Sequence, residues 1–445
     1  SAQVHLSRED SEQVLKGNNH WQAGEFAQRA PGLDWPSYFD AAGLGHQPLF
    51  VVWQPGALAG IARLVASEPL ETWKDWLRFH YLEHNSPYLP KVFVDEHFAF
   101  HDRILAGIPQ IPPRWKRAVE ETNQALGEAV GKLYVERYFP PSEKARAEAM
   151  AKNLIAAFAV RIDRLEWMTP QTRQRAKAKL AVLKVGVGYP DHWRSFAGLE
   201  VRPGDAFGNA ERAGRFELEH SVGKLNTPVD RSEWAMLPQT VDAVNLPAMN
   251  ALNFPAGILQ PPFFNPQRPA AMDYGDTGAT IGHEISHSFD DQGAQFDASG
   301  RLHNWWTPQD FAHFRAAGTR LAAQFDAYRP FPDVHVNGAL TLSENIADVA
   351  GLAVAYDGWH LALGGAHPTG VAGFSAEQLF FLSYAQSWQQ KIREPALREQ
   401  IITNGHAPAE YRADTVRNLD PWYAAFSVGP GARLYLAPAE RVPVW

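Results

Sequence analysis

The sequence predicts a mainly α, α+β protein. Three observations carry that prediction. Met150, Leu154, Phe158, Ile162 and Leu165 recur at steps of four and three, the spacing that lines up side chains on one face of a helix. Thr169-Pro170 and Thr307-Pro308 each read as a helix N-cap followed by proline at the first helical position. Val241 to Phe254 is short, mixed and strand-like, and the run PAGILQPPFF that follows (255–264) holds too much proline and glycine for a regular helix.

In chain order, residues 1–195 read as helical. Pro112-Pro113 open a long stretch through Tyr138 that stops at Pro140-Pro141. The helix begun at Pro170 is expected to reach about Lys184 and to break at Gly186, Gly188 and Pro190. Residues 196–240, irregular and richer in glycine, read as a linker region. Residues 241–445 form the remaining part. There a helix is expected over 275–290 with Gly293 as terminator, another from Pro308 to about Tyr328, and a third over 343–357 with Ser343 as a candidate cap.

Composition removes several function classes. The 445 residues are 45% hydrophobic and 20% charged, enough apolar material for a large core and too little charge for wholesale disorder. A net charge of −8 without a basic run argues against nucleic acid as a partner. The absence of cysteine excludes disulfides, thiolate metal sites and cysteine nucleophiles. No apolar run reaches the roughly 18 residues of a membrane span. Ser1-Ala2-Gln3-Val4-His5 lacks a basic-then-apolar signal pattern. The chain is therefore either cytoplasmic or exported with its leader removed. A periplasmic or secreted location is the expectation, with the cytoplasm left open.

The chemistry concentrates in His283-Glu284-Ile285-Ser286-His287. Histidines four apart on a helix share a face and can reach one ion, and without thiolates zinc takes imidazole and carboxylate ligands. Glu284, beside the first histidine, suits a general base acting on zinc-activated water. Ile281, Ile285 and Phe289 fall on the opposite side and can anchor the helix in a core. The motif arises by chance in roughly a few per cent of chains this long, so two core histidines satisfied by hydrogen bonds stand as the alternative. A third ligand is available downstream. Glu344 and Asp348 are four apart in LSENIAD (342–348), so one helix presents both carboxylates. Glu344 can ligate zinc and Asp348 can accept the free N–H of a zinc-bound imidazole. Asp290, three after His287, is a further carboxylate for that orienting role. A pair of solvated acids is the alternative for Glu344 and Asp348.

GHEISHSFDDQG (282–293), NWWT (304–307) and LSENIAD (342–348) resemble the zinc-binding segments of the neprilysin family of metallopeptidases, which includes endothelin-converting enzymes and bacterial oligopeptidases. FPAGILQPPFF (254–264), APGLDW (30–35), LYVERYF (133–139), LEWMTPQT (165–172), GYP (188–190) and the end at Trp445 extend the resemblance over nearly the whole chain. It implies a helical lid domain over 1–195 and a thermolysin-like catalytic domain over 241–445 with a small mixed sheet, the active site lying in the cavity between them. It implies one Zn2+ per chain held by His283, His287 and Glu344, with Glu284 as base and Asp348 as orienting carboxylate. His406 matches the family histidine that stabilises the oxyanion, and Arg412 the arginine that binds the substrate backbone. Phe263 and Trp388 match positions of the apolar pocket for the residue after the scissile bond, though each fits a core equally well. The implied activity is endopeptidase cleavage of short peptides on the amino side of hydrophobic residues.

Two departures stand out. Where the family has an Asn-Ala pair for the substrate main chain, this sequence has Asp242-Ala243, and a carboxylate accepts but does not donate. Asn245 or Asn250 is an alternative for that part. Family members also have a longer N-terminal part, so either a separate N-terminal fragment completes the catalytic domain or the chain is a reduced version. The missing cysteines suggest a bacterial-type member. Two rivals remain at this point: a zinc aminopeptidase, and a non-catalytic peptide-binding member.

Overall fold

The computed structural model describes residues 3–445, which separate into two compact units. One comprises the N-terminal segment through Glu121 together with Phe196–Pro228 and Arg393–Glu399; the other comprises Thr122–Ser195, Val229–Ile392 and Gln400–Trp445. The linear partition at 195 and 240 does not coincide with these units. Residues 122–195, read as part of a lid, share a single apolar core with the His283–His287 segment.

In the first unit, strand Asn19–Gln22 pairs antiparallel with Leu49–Val52. The adjoining core is aromatic. Phe26 meets the edges of Trp21 and Phe39 at 5.1 Å in each case, and Phe39 stacks on Phe50 at 4.6 Å. The 196–240 stretch is not only a linker: it contains helix Ala206–Gly223, capped by the Asp205 carboxylate. Only Ala213 of that helix is buried; the rest of it is half-buried or exposed.

In the second unit, Pro141–Arg164 forms a helix whose face Met150, Leu154, Phe158 and Ile162 is buried. Phe158 stacks on Phe289 at 5.0 Å, and Trp445 packs against both rings. The expected caps are present and converge. Thr169 and Thr307 start helices Pro170–Ala181 and Pro308–Asp326, and both hydroxyls also donate to the buried Asp310 carboxylate, at 2.6 and 2.7 Å. Beyond Ala181 the chain does not break at its glycines. Lys184–Gly188 is a strand running parallel to Ala251–Pro255, which pairs antiparallel with Val244–Leu246 on its other side. Gly186 is needed there because a Cβ would sit 2.9 Å from the Trp234 ring. The central strand is buried at all five residues, and Val244–Leu246 is an edge.

Candidate metal and catalytic site

The candidate site is built on two helices that touch backbone to backbone. Ala279–His287 carries the histidine motif, and Leu342–Leu363 carries Glu344 and Asp348. A Cβ on Gly282 would lie 2.4 Å from the Gly351 carbonyl oxygen, and one on Gly351 would lie 2.3 Å from the His283 nitrogen. Glycine at both positions therefore permits the approach that sets the carboxylates against the imidazoles. Ile281, Ile285 and Phe289 are fully buried on the far side and anchor the motif helix.

Three candidate ligand side chains converge. The Nε2 atoms of His283 and His287 are 2.9 Å apart. Glu344 brings Oε2 to 3.2 Å from His283 Nε2 and Oε1 to 3.5 Å from His287 Nε2. Each imidazole is oriented from behind: His287 Nδ1 bonds Asp290 Oδ2 at 2.6 Å, and His283 Nδ1 faces Asp348 Oδ1 at 2.8 Å. Asp290 accepts from His287 Nδ1, which turns the Nε2 of that ring inward, while His283 Nδ1 lies beside Asp348 without a hydrogen bond of good geometry. Two imidazole nitrogens and a carboxylate facing one point suit a positive ion. Glu344 Oε2 is moreover buried with no hydrogen bond of good geometry. Three ligand atoms around tetrahedral zinc lie about 3.3–3.4 Å apart for bonds of about 2.0–2.1 Å, so the donor types and spacings fit that ion.

The electrostatics agree. Burial opposes charge on both histidines, yet the surrounding carboxylates hold His283 above its ordinary value and His287 well above it. Burial also opposes charge on Glu344, but the histidines hold its carboxyl well below the usual range. Glu284 belongs to the same cluster, its carboxylate within 4.8 Å of the ligand nitrogens of His283 and His287. Burial pushes the Glu284 carboxyl up from its ordinary value.

The structure also brings His406 and Arg412 to this cluster. His406 Nε2 lies 3.0 Å from Glu344 Oε2, while Asn404 Oδ1 holds its Nδ1 at 2.8 Å. Arg412 donates from Nε and Nη2 to both Asp348 oxygens at 2.8 Å, and its guanidinium lies 4.2 Å from the Trp388 ring. Asp242 is exposed, with Oδ1 accepting from the Ala243 N–H at 2.9 Å, immediately before the edge strand. Its negative charge acts on Glu284. Phe263 is half-buried; its carbonyl accepts from Thr277 Oγ1 at 2.8 Å and from Arg268.

The alternatives Asn245 and Asn250 are otherwise engaged. Asn245 Nδ2 donates to the Glu284 carbonyl at 2.7 Å and to Ser288 Oγ at 2.8 Å, and buried Asn250 donates to the Lys179 carbonyl at 3.1 Å. Two expected helix signals also act differently. Gly293 is no left-handed terminator: a Cβ there would lie 1.8 Å from the His287 carbonyl oxygen, so it is a point of close approach. Ser343 lies inside its helix, which starts after Thr341, and donates to Asp291 at 2.7 Å.

Lys179 has no signal in the sequence as a site residue. Its buried ammonium donates to the carbonyls of Ser288, Gly293 and Phe296 at 2.6, 2.8 and 2.8 Å, fixing the loop that carries Asp290. Burial pulls it down to about 7, opposed by the charges of Asp290 and Asp297. Its place in an otherwise ordinary helix gives a reader of the sequence nothing to select it by.

Comparison with known proteins bears on the same residues. Two models of peptidase family M13 match the chain, the N-terminal one over residues 1–190 and the peptidase one over residues 242–442, which contains every residue of the cluster. A neutral endopeptidase of Lactobacillus helveticus is 33% identical over 398 residues, 89% of this chain and 60% of its own length. An inhibitor complex of the Mycobacterium tuberculosis zinc metalloprotease Zmp1 superposes with a TM-score of 0.95 at 40% identity, covering 99% of this chain and 68% of that one. PepO from Lactobacillus rhamnosis gives 0.90 at 34% identity, covering 99% and 69%. The chain spans 57–64% of the length of the first curated relatives it matches, and none of these comparisons supports a separate N-terminal fragment. With the histidine–glutamate cluster lying inside the matched peptidase segment and the fold shared almost end to end, the chain belongs to peptidase family M13.

Proposed function

We propose that this chain is the peptide-cleaving part of a zinc-dependent endopeptidase that hydrolyses short peptides on the amino side of hydrophobic residues. The observation that carries the reading is the convergence of His283, His287 and Glu344 on one point beside the buried Glu284 carboxylate. His283, His287 and Glu344 would hold one zinc ion. Bound there, zinc supplies Lewis acidity to the substrate carbonyl and acidifies water.

The chain's own residues do the rest. Glu284 takes a proton from the attacking water and returns it to the leaving amine. Asp290 and Asp348 keep both imidazole Nε2 atoms turned inward. His406, 46% exposed and held by Asn404, donates to the oxyanion as it forms. Asp348 accepts from Nε and Nη2 of Arg412, Nη2 also lies 3.6 Å from Glu344 Oε2, and Nη1 is left for a substrate carbonyl. Trp388 beneath Arg412 forms an apolar wall for the residue after the cleaved bond, with Phe263 as a further candidate. The edge strand Val244–Leu246 offers backbone pairing to an extended peptide, and Asp242-Ala243 precedes it. Asp242 there accepts from a substrate N–H and supplies no donor, so it favours peptides bound through their amides or a positive side chain.

An N-blocked fluorogenic peptide with a central hydrophobic residue tests the reading. The expected result is chelator-sensitive cleavage on the amino side of that residue. Cleavage only of peptides with a free N-terminus would make the protein an aminopeptidase. No cleavage of any peptide at full zinc loading would leave a binding protein.

A further inference from the structure

The first unit carries a second cluster of ligand-type side chains, on residues to which no role has been assigned above. Helix Leu70–His84 supplies Glu83, and helix Lys91–His97 supplies His97 as its last residue. The chain then continues into the π-helical turn Phe98–Leu105, which carries His101. Such turns are uncommon and are frequently found at functional sites.

One oxygen serves both rings. Glu83 Oε1 lies 3.3 Å from His97 Nδ1 and 3.0 Å from His101 Nε2. The third separation, between the two ring nitrogens, is within 4.8 Å. The rings are stacked with centroids 4.4 Å apart and an interplanar angle of 26°, so both present a nitrogen toward the same side. His97 Nδ1 is shut off from solvent and has no hydrogen bond of good geometry. An ion pair with Glu83 alone leaves that nitrogen occluded and without a well-aligned partner.

We propose that Glu83, His97 and His101 form a second metal site, taking a divalent transition ion of the zinc class. Tetrahedral zinc places its ligand atoms about 3.3–3.4 Å apart, close to the two Glu83 separations. Two imidazoles and one carboxylate suit zinc, nickel or copper, whereas calcium and magnesium require an oxygen shell that three such ligands do not provide. The side chains are about a third exposed, 32% for His97, 30% for Glu83 and 42% for His101, which gives an ion a route in and leaves its fourth position to water. An ion there pins helix Leu70–His84 to the helix that follows it. The site does not depend on the peptidase reading, since all three residues lie in the other compact unit.

Equilibrium dialysis of the full chain against zinc, with bound metal counted by mass spectrometry, tests it. The wild type is expected to bind two zinc ions per chain and the double variant His97→Ala/His101→Ala one. Glu83→Gln, a near-isosteric change, keeps both rings and is expected to weaken the second ion at least tenfold while leaving the first unchanged. This variant decides the matter if the double variant does not fold. One ion in the wild type, or two of undiminished affinity in Glu83→Gln, overturns the proposal. A wild type with one ion at the His283–His287 site leaves the peptidase reading standing.

Discussion

Arg412 grips Asp348 with two parallel hydrogen bonds of 2.8 Å, and the same carboxylate faces His283 Nδ1 at 2.8 Å. The arginine and the histidine therefore share one buried acid. Asp348 is 2% exposed and Arg412 11%, so removing the guanidinium strands a buried charge. Arg412→Met is expected to lower unfolding free energy by roughly 3–5 kcal/mol. Arg412→Lys keeps the charge but loses the fork, and is expected to fall between the two. Denaturant unfolding of the three proteins checks the order, and a loss below about 1 kcal/mol for Arg412→Met would show that the pair does not carry this weight.

Asp290 holds His287 from behind and is itself held by the N–H groups of Gln292 and Gly293, at 2.9 and 2.6 Å. An amide in its place can donate as well as accept, and no longer fixes which ring nitrogen keeps the proton. Asp290→Asn is expected to weaken zinc at the motif site by roughly 10–100-fold, measured by competition with a chelator. Unchanged affinity would remove Asp290 from the account.

The Gly282–Gly351 contact predicts a sharp steric effect far smaller in atoms than in consequence. Gly351→Ala puts a methyl 2.3 Å from a backbone nitrogen, where no side chain can swing aside. Overpacking of that kind costs typically 1–3 kcal/mol, and separation of the helices should also weaken zinc. Gly214→Ala is the control. It is helical with nothing within 4 Å of a Cβ, so it is expected to be neutral or to stabilise by up to about 1 kcal/mol. Equal effects at the two positions would refute the close-contact explanation.

A pH dependence follows from Arg268, which pairs with two buried acids, Asp273 at 2.6 Å and Asp276 at 3.4 Å. One guanidinium does not neutralise both. Burial pushes Asp276 up to about 7, against the attraction of Arg268. Between about 4 and 7 the folded chain holds a proton on Asp276 that the unfolded chain has released. Folding then takes up a proton, and stability falls as pH rises, by at most about 1.4 kcal/mol per unit for this one group. Above 7 the loss is complete. Asp276→Asn is expected to flatten this part of the profile relative to wild type, read by urea unfolding at several pH values. Parallel profiles would contradict it.

How much of this is legible in the sequence depends on the range of the interaction. The spacing of His283 and His287, and of Glu344 and Asp348, is a property of one helix at a time, so shared faces follow from counting. The Thr-Pro caps at 169 and 307 are equally local. The same local reasoning misplaces Ser343, whose hydroxyl is drawn to Asp291 on another segment. It also reads Gly186 and Gly188 as a break, although they lie in a strand whose partner is more than sixty residues away. The Gly282–Gly351 contact, Lys179 under the loop 288–296, and Asn245 across the motif helix are made by chain segments distant in sequence. No periodicity announces them. His406 and Arg412 carry no local signal: resemblance alone points to them, and only the fold sets them beside Glu344 and Asp348.

The central claim is that His283, His287 and Glu344 hold zinc for chemistry in which Glu284 moves the proton. Glu284→Gln tests it most directly, by zinc content and peptide turnover measured on the same preparation. The account predicts unchanged zinc and a kcat lower by roughly 10²–10⁴-fold, the usual span for a positioned acid–base group. Turnover that survives the substitution, or zinc that is lost with it, would contradict the account.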